Sequence, residues 1–476
     1  MPKSKKIAII GGGIAGLSAA YFLESNRQDF QVEVIEAKSS LGGALATDRW
    51  QDYVIERSAD MFVSDPRHAV DLCEDLGFED QLIPTNHRNR FSSICFQDRL
   101  IRIPTGFSLL AANQLLPMLR TPLLSWRGKL RLLVELFLRP RSDQPDESLK
   151  SFAVRHYGEE IFERLIQPLV AGIYSAKAEE LSIQATLKRF VDMEREHGSL
   201  IRAAQLKKRK NKFDRESSGA RYGMFLSFKN GIGSLVDRLV DELQNQNVTM
   251  TIGQPIRAIQ PIDVSRWRLD GGRGFQREVD GVIVAVNSQV ASQLLPESMV
   301  QTKEKLETIT MGSLIVVSIA TDHESFVNEI PKGFGFVVPE IENRDLIACS
   351  FSSNKFDNRA GQRKFLMRAF LGGRRVNDFL HLEDRDLVSK VVKDLGELVG
   401  FKPTDKTEFR VTRWENCMPQ YKVGHLELVA TIKEHLAKTP RIQLAGCSYD
   451  GVGIPACIES GKIAAKKILA AIKPGH

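Results

Sequence analysis

No apolar run in this chain is long enough to cross a bilayer. The most membrane-like stretch, 107–126, is interrupted by Asn113, Gln114, Pro117, Arg120 and Pro122, whereas a spanning helix needs about 20 apolar residues with few charges. Cysteine is scarce and irregular: six residues, at 73, 95, 349, 417, 447 and 457, with no Cys-x-x-Cys spacing. That pattern excludes a disulfide framework and reads as reduced thiols in a cytoplasmic protein. The nine histidines contain no His-x-x-x-His pair, so no metal site is expected. The run Ile7–Ile10 that follows the short basic start is too brief for a signal-peptide core. Charge of one sign is not in large excess. The 66 basic and 59 acidic residues leave +7, which makes no case for nucleic acid but suits an anionic surface or an acidic substrate. Internal repeats and low-complexity linkers are absent as well.

What the chain does contain is two strand–glycine–helix units at opposite ends. A length of 476 residues suits two or three domains. Residues 6–10 read as a buried parallel strand, Ile14–Asn26 as an amphipathic helix and Gln31–Glu36 as the next strand. Gly11, Gly13 and Gly16 have G-x-G-x-x-G spacing between that strand and that helix. The first glycine makes the tight turn, the second admits a pyrophosphate and the third lets helix and strand pack closely. The helix N-terminus then faces the phosphates. Glu36 lies 20 residues beyond Gly16, where an acid binds ribose hydroxyls and disfavours a ribose phosphate. Leu41-Gly42-Gly43 follows, with Ala44 where flavin enzymes usually carry an arginine. Phosphate charge must then be met by backbone amides or from elsewhere. Far along the chain, Gly446 and Gly451-Val452-Gly453 precede a terminal helix at Ile458–Ile472, whose N-terminus can favour an anionic reduced flavin. Between these ends, Pro66–Leu76, Leu123–Leu138, Ser148–His156, Glu159–Val170 and Ile232–Gln244 read as helices. Val248–Ile252, Val282–Ala285, much of 311–351 and 364–371 read as strands. A basic run occupies 207–212.

Longer motifs make the resemblance specific. Asn416-Cys417-Met418-Pro419-Gln420-Tyr421 with Gly424-His425, and Ala445-Gly446-Cys447-Ser448-Tyr449-Asp450-Gly451-Val452, are joined by Glu459-Ser460-Gly461. Pro145-Asp146-Glu147-Ser148, Glu180-Leu181-Ser182-Ile183 and Gly333-Phe334-Gly335 add to them. Over nearly its whole length the chain resembles the oxygen-dependent protoporphyrinogen oxidases of the flavin amine-oxidase superfamily. Glu56-Arg57-Ser58-Ala59-Asp60-Met61-Phe62 is similar to that family's E-x-G-A-D-S-F flavin loop, departing from it at Ser58 and Met61.

The resemblance implies non-covalent FAD held by Gly11, Gly12, Gly13, Ile14, Ala15, Gly16, Glu36, Ala37, Gly43, Ala44, Ser58, Ala59, Asp60, Met61, Ile256, Trp414, Gly446, Val452, Gly453 and Ile454. It implies that Arg90 pairs with a substrate propionate, that Val337 and Phe370 sandwich the macrocycle and that the Gly335 backbone lines the pocket. No protein residue is implied as a catalyst. The hydride goes to flavin N5, and His425, Cys417 and Cys447 read as structural. The implied reaction removes six electrons from protoporphyrinogen IX in three flavin cycles, with molecular oxygen as acceptor and hydrogen peroxide released. Coproporphyrinogen III is the alternative substrate; Asp65-Pro66, standing where relatives of that type tend to place a lysine, leans towards protoporphyrinogen. A flavin amine oxidase or desaturase and a flavoprotein scaffold without a pocket also stay open.

The fold expected is α/β. A Rossmann-like FAD domain comprises 1–84, 222–290 and 420–476. A mixed-sheet substrate domain comprises 85–97 and 291–419. An inserted α-helical membrane-associating domain comprises 98–221. The resemblance leaves open a homodimer and hand-over of product to the next haem-pathway enzyme. It places the protein in the cytoplasm with peripheral membrane contact.

Overall fold

The computed structural model describes residues 4–24, 30–141, 145–174, 176–210, 225–327 and 329–472. Its centre is a five-stranded, all-parallel sheet in the order Thr249–Thr251, Phe30–Ile35, Lys5–Ile10, Gly281–Val284, Ile442–Leu444. The first strand is apolar at four consecutive positions because both faces of a parallel sheet are covered. Ile7 and Ile9 pack with the helices Ile14–Glu24, Gly233–Asn245 and Ile454–Ile472. Ala8 and Ile10 face the opposite way, towards Trp267, Leu269, Ala291, Leu306 and Ile432. The helices Ser288–Leu294 and Val300–Glu307 therefore belong to the packing of this sheet, although the boundary expected at 290/291 cuts the first and puts the second with the substrate domain. Their apolar faces have this sheet to cover.

A second sheet of seven strands runs Glu408–Pro419, Met311–Asp322, Lys364–Leu371, Leu346–Phe351, Gly335–Val337, Ser93–Phe96, Arg99–Arg102. All its pairings are antiparallel except that between Gly335–Val337 and Ser93–Phe96. Arg99–Arg102, expected in the helical insert, is the edge strand here. Arg-Leu-Ile-Arg offers little periodicity, and its strand state comes from pairing Ile94 with Ile101 and Cys95 with Leu100. One face of this sheet, including Ile315, Val317, Ile319, Phe365, Met367 and Ala369, packs on Leu387, Val391 and Leu395 of the helix Asp384–Val399. The alternate residues, among them Val316, Arg368 and Phe370, point the other way.

A helical unit is inserted between the sheets. Leu115–Arg120, Trp126–Glu135, Leu149–Tyr157, Gln167–Tyr174, Ile183–His197 and Leu200–Lys210 share one core that includes Phe107, Leu132, Phe152, Tyr157, Leu165 and Phe190. The stretch 107–126 is broken into a two-strand hairpin and a six-residue helix. Among the described residues no helix is long and apolar enough to cross a membrane. The basic run reaches the end of Leu200–Lys210; residues 211 and 212 and the expected boundary at 221/222 lie outside the described residues.

Candidate active site

The first glycine turn is built as its spacing requires. Gly11 has φ +110°, a conformation L side chains rarely adopt. A Cβ on Gly16 would lie 2.0 Å from the Gly11 carbonyl oxygen, so the helix sits directly on the turn. A Cβ on Gly13 would meet nothing within 4 Å. The space above the middle of the turn is open, beside the start of a helix whose Ile14 and Ala15 are buried. Gly43 flanks this space, its own Cβ position 3.2 Å from the Gly13 Cα. The Gly42 N–H donates to the Gly12 carbonyl at 2.7 Å.

Glu36 is fixed by two amides. The Gly12 N–H donates to Oε2 at 2.7 Å and the Lys38 N–H to Oε1 at 2.8 Å. Each oxygen retains acceptor capacity for a hydroxyl donor. Ala37 is exposed beside it. The Gly253 N–H donates to the Lys38 carbonyl and the Gln254 N–H to the Glu36 carbonyl, which brings Ile256 to the same edge.

From Gly43 the chain continues through exposed Ala44 to the 58–61 loop. The Ser58 hydroxyl donates to the Ala44 carbonyl at 2.5 Å, and Ser58 is not among the residues with positive φ. Serine in place of the family's glycine therefore strains nothing. The Trp414 indole donates to the Arg57 carbonyl at 2.9 Å, tying the long strand Glu408–Pro419 to this loop. Ala59 and Met61 are half-buried beside buried Asp60.

Beneath that loop lies a cluster the sequence reading missed. Lys355 Nζ donates to Asp60 Oδ2 at 3.0 Å and Arg368 Nη1 lies 3.5 Å from it. Arg368 also donates to the Ser58 carbonyl. Arg359, wholly buried, stands 3.6 Å from Glu56 and donates to Ser227 Oγ and the Phe228 carbonyl. Burial opposes ionisation of Asp60, but Lys355 and then Arg368 outweigh it and hold its carboxyl at about 2. At Glu56 burial wins and pushes the carboxyl up, against Arg359 and the Thr47 hydroxyl. The signal available was Arg368 itself, a charged residue at a non-edge position in Lys-Phe-Leu-Met-Arg-Ala-Phe-Leu.

The four residues assigned to substrate come together on or beside one face of the seven-stranded sheet. Val337 pairs with Ala348 and Ala348 with Phe370, so the three form a row across neighbouring strands with side chains on one face. Val337 and Phe370 are thus members of one floor, at about 10 Å for two strand spacings, with the small side chain of Ala348 between them. Gly335 lies in the adjoining row with Ser350 and Arg368. Val337 and Val452 both pack against the helical unit's core, which supplies the facing wall. Arg90 is half-buried, and burial pushes its guanidinium pKa down. Its neighbour Phe91 accepts from the Phe334 N–H at 2.7 Å, and a Cβ on Gly333 would lie 2.7 Å from the Phe91 ring. The loop bearing Arg90 is therefore clamped to the strand bearing Gly335 and Val337.

The C-terminal unit completes the site. Gly446 has open space above it, as Gly13 has, and its N–H donates to Ser460 Oγ at 3.0 Å. Gly453 immediately precedes the final helix and Ile454 begins it, and Gly461 in that helix approaches the Ala15 carbonyl so closely that a Cβ would lie 2.3 Å away. The opening and closing helices are thus in direct backbone contact. His425 is buried, stacks on Tyr421 at 4.0 Å between centroids and lies 3.0 Å from the Tyr449 carbonyl. Burial lowers its pKa. It is a packed core histidine.

This constellation fits a dinucleotide flavin. The open cradle over Gly13 would take the pyrophosphate, Glu36 the ribose, and the seam through Ala44, Ser58–Met61, Trp414, Gly446 and Val452 the ring system. The model of the flavin-containing amine oxidoreductase family matches residues 14–469. A coproporphyrinogen III oxidase of Staphylococcus aureus is 31% identical over 98% of this chain and 99% of its own. A protoporphyrinogen oxidase of Macaca fascicularis is 28% identical over 98% of each. A crystal structure from Exiguobacterium sp. 255-15, provisionally named a protoporphyrinogen oxidase, superposes with a TM-score of 0.87 at 30% identity, covering 98% of this chain and 99% of that one. The family is flavin-containing, and the dinucleotide cradle formed by the open space over Gly13 and by Glu36 makes that flavin FAD. Matched from its first helix to its last, the chain belongs to the flavin-containing amine oxidoreductase family.

Proposed function

We propose that this protein is an oxygen-dependent porphyrinogen oxidase of haem synthesis that holds FAD non-covalently and oxidises coproporphyrinogen III to coproporphyrin III. The observation that carries the substrate is the order of similarity. Three coproporphyrinogen III oxidases match at 29–31% identity nearly end to end, against 27–28% for the animal protoporphyrinogen oxidases. Protoporphyrinogen IX remains the second reading, favoured by Asp65-Pro66 in place of the lysine and by the Exiguobacterium structure's name.

FAD, when bound, supplies a two-electron acceptor that oxygen can reoxidise. The chain's own work is to bind and orient. Val337, Ala348 and Phe370 offer an apolar floor to a macrocycle, and Arg90 at its rim offers a planar fork to a propionate. The helical unit's wall excludes water and fixes one methylene bridge towards the ring seam. No histidine or thiol is needed as a base, because the pyrrole N–H protons can leave to solvent.

We infer peripheral contact with anionic lipid as well. Trp126, Leu130, Val134 and Phe137 recur at helical spacing along and just beyond Trp126–Glu135, and Trp126 and Phe137 are 66% and 80% exposed. Arg120, Arg127, Arg139 and Arg141 are exposed around them, while Glu135, the segment's sole acid, is buried. A flanking basic rim on an exposed apolar stripe suits a headgroup layer.

The deciding experiment is oxygen uptake with the two porphyrinogens side by side, with flavin released by acid and identified. A higher kcat/KM for coproporphyrinogen III supports the proposal. A preference for protoporphyrinogen IX transfers it to the second reading, and turnover of neither removes both.

A further inference from the structure

The loop assigned to the flavin is held at successive residues by side chains from four different elements. The Trp414 indole donates to the Arg57 carbonyl at 2.9 Å and Arg368 to the Ser58 carbonyl. Ser227 Oγ donates to the Asp60 carbonyl at 2.8 Å, and Lys355 Nζ to the Asp60 carboxylate at 3.0 Å. Of the four, Arg368 alone shares a strand with a residue of the apolar floor. It stands two positions before Phe370 in Lys364–Leu371, so the two side chains leave the same face. The Arg368 guanidinium lies over the Phe370 ring, 5.3 Å from its centroid. One planar group therefore touches both halves of the site.

That group is anchored to little else. Arg368 is 1% exposed. Its Nη2 is the donor to Ser58, and its Nη1 lies 3.5 Å from Asp60 Oδ2. Nε, the guanidinium nitrogen nearest its own strand, has no hydrogen-bond partner among the described residues. The loop on one side and the Phe370 ring on the other thus set where the guanidinium sits; its own sheet does not. Phe370 is half-buried, and a macrocycle laid on the floor would take the rest of its ring out of water. A cation–π contact strengthens when it is desolvated. The charged contacts behind it strengthen in the same direction, because the local dielectric falls.

We propose that Arg368 is a positioning residue that couples the two halves of the site: a porphyrin ring on Phe370 tightens the hold of the 57–60 loop on FAD, and FAD tightens the hold on the ring. The first ligand rests on the porphyrinogen reading above. The two effects are equal in size, since linkage between binding equilibria is reciprocal. Desolvating one cation–π contact is worth roughly 5- to 10-fold in affinity.

The test uses the holoenzyme and oxidised porphyrins, which bind without turnover. FAD released on ultrafiltration is measured over a dilution series, with no porphyrin, with coproporphyrin III and with protoporphyrin IX, each at a concentration that saturates the variant in hand. Wild type should hold FAD roughly 5- to 10-fold more tightly with porphyrin bound. Arg368→Lys keeps a positive charge beside Asp60 but lacks the plane that lies over the ring. It should still bind both ligands, and porphyrin should no longer change its affinity for FAD. Phe370→Leu keeps an apolar floor and leaves Arg368 in place, so loss of the coupling there separates transmission from a merely structural role for the arginine. It also decides the matter if Arg368→Lys folds poorly. Coupling that survives either substitution overturns the proposal, as does its absence in wild type with porphyrin bound. A Soret band that wild type leaves unshifted for both porphyrins removes the porphyrinogen reading and the coupling with it, whereas bound porphyrin without coupling removes the coupling alone.

Discussion

Replacing Arg90 with alanine removes a charged hydrogen bond worth about 1.5–3 kcal/mol at a partly desolvated rim. Use of porphyrinogen at low substrate should fall roughly 10- to 100-fold, with FAD content unchanged, and Arg90→Lys should restore only part because an ammonium lacks the fork. Steady-state kinetics with flavin occupancy measured alongside check this; loss of flavin would move Arg90 to the cofactor. Two neighbouring glycines should behave in opposite ways. Gly13→Val enters open space, so the apoprotein should fold and melt much as wild-type apoprotein does while FAD is lost. Gly16→Ala places a methyl 2.0 Å from a backbone oxygen and should cost folded protein, read by circular dichroism. Asp60 tests the buried cluster. Its carboxyl, held at about 2 against an ordinary 3.8, contributes about 2 kcal/mol of stability above the higher value. That contribution is lost as pH falls through the lower one. Asp60→Asn should therefore lower the urea midpoint at pH 7, with the gap to wild type narrowing below about pH 4. The glycines were legible in the sequence because their roles are set within one turn. The partners of Asp60 were not, since Lys355 lies 295 residues away and no local pattern announces such a pairing.

At the scale of elements, periodicity located the helices well wherever one apolar stripe meets one core, as in Gly233–Asn245 and Ile454–Ile472. It failed at Arg99–Arg102, whose strand state is supplied by a neighbouring strand. It also gave no sign of how the helical unit is locked. Glu135, buried at the end of Trp126–Glu135, accepts from Ser199 Oγ and the Leu200 N–H, both at 2.6 Å, and lies 3.2 Å from His156 Nδ1. A carboxylate from one helix thereby caps another, Leu200–Lys210, at its N-terminal end. Glu135→Ala leaves those donors and His156 buried without their acceptor, at a cost of about 3–5 kcal/mol. Amide hydrogen exchange should quicken in Leu149–Tyr157 and Leu200–Lys210 while the parallel sheet keeps its protection. Uniform loss across the chain would mean that the helical unit is not a separate cooperative block.

For the molecule as a whole, the exposed stripe from Trp126 to Phe137 and its rim of arginines would set the orientation of the proposed lipid contact. The protein should sediment with vesicles containing anionic lipid, release with salt, and show a blue shift of tryptophan emission on binding. Trp126→Glu with Phe137→Glu should abolish all three without changing FAD content. Binding that survives the double substitution would place the contact elsewhere. The parallel sheet has a different consequence, in time instead of space. Its edge strand Ile442–Leu444 and the helix Ile454–Ile472 that packs on Ala15 are the last parts of the described chain to be synthesised. Until they emerge from the ribosome, the glycine turn made first has no closing partner. Domains usually fold in the order of synthesis, but here FAD capture must wait until these distant segments have emerged, and the newborn chain depends on whatever shields its open sheet edge during that interval.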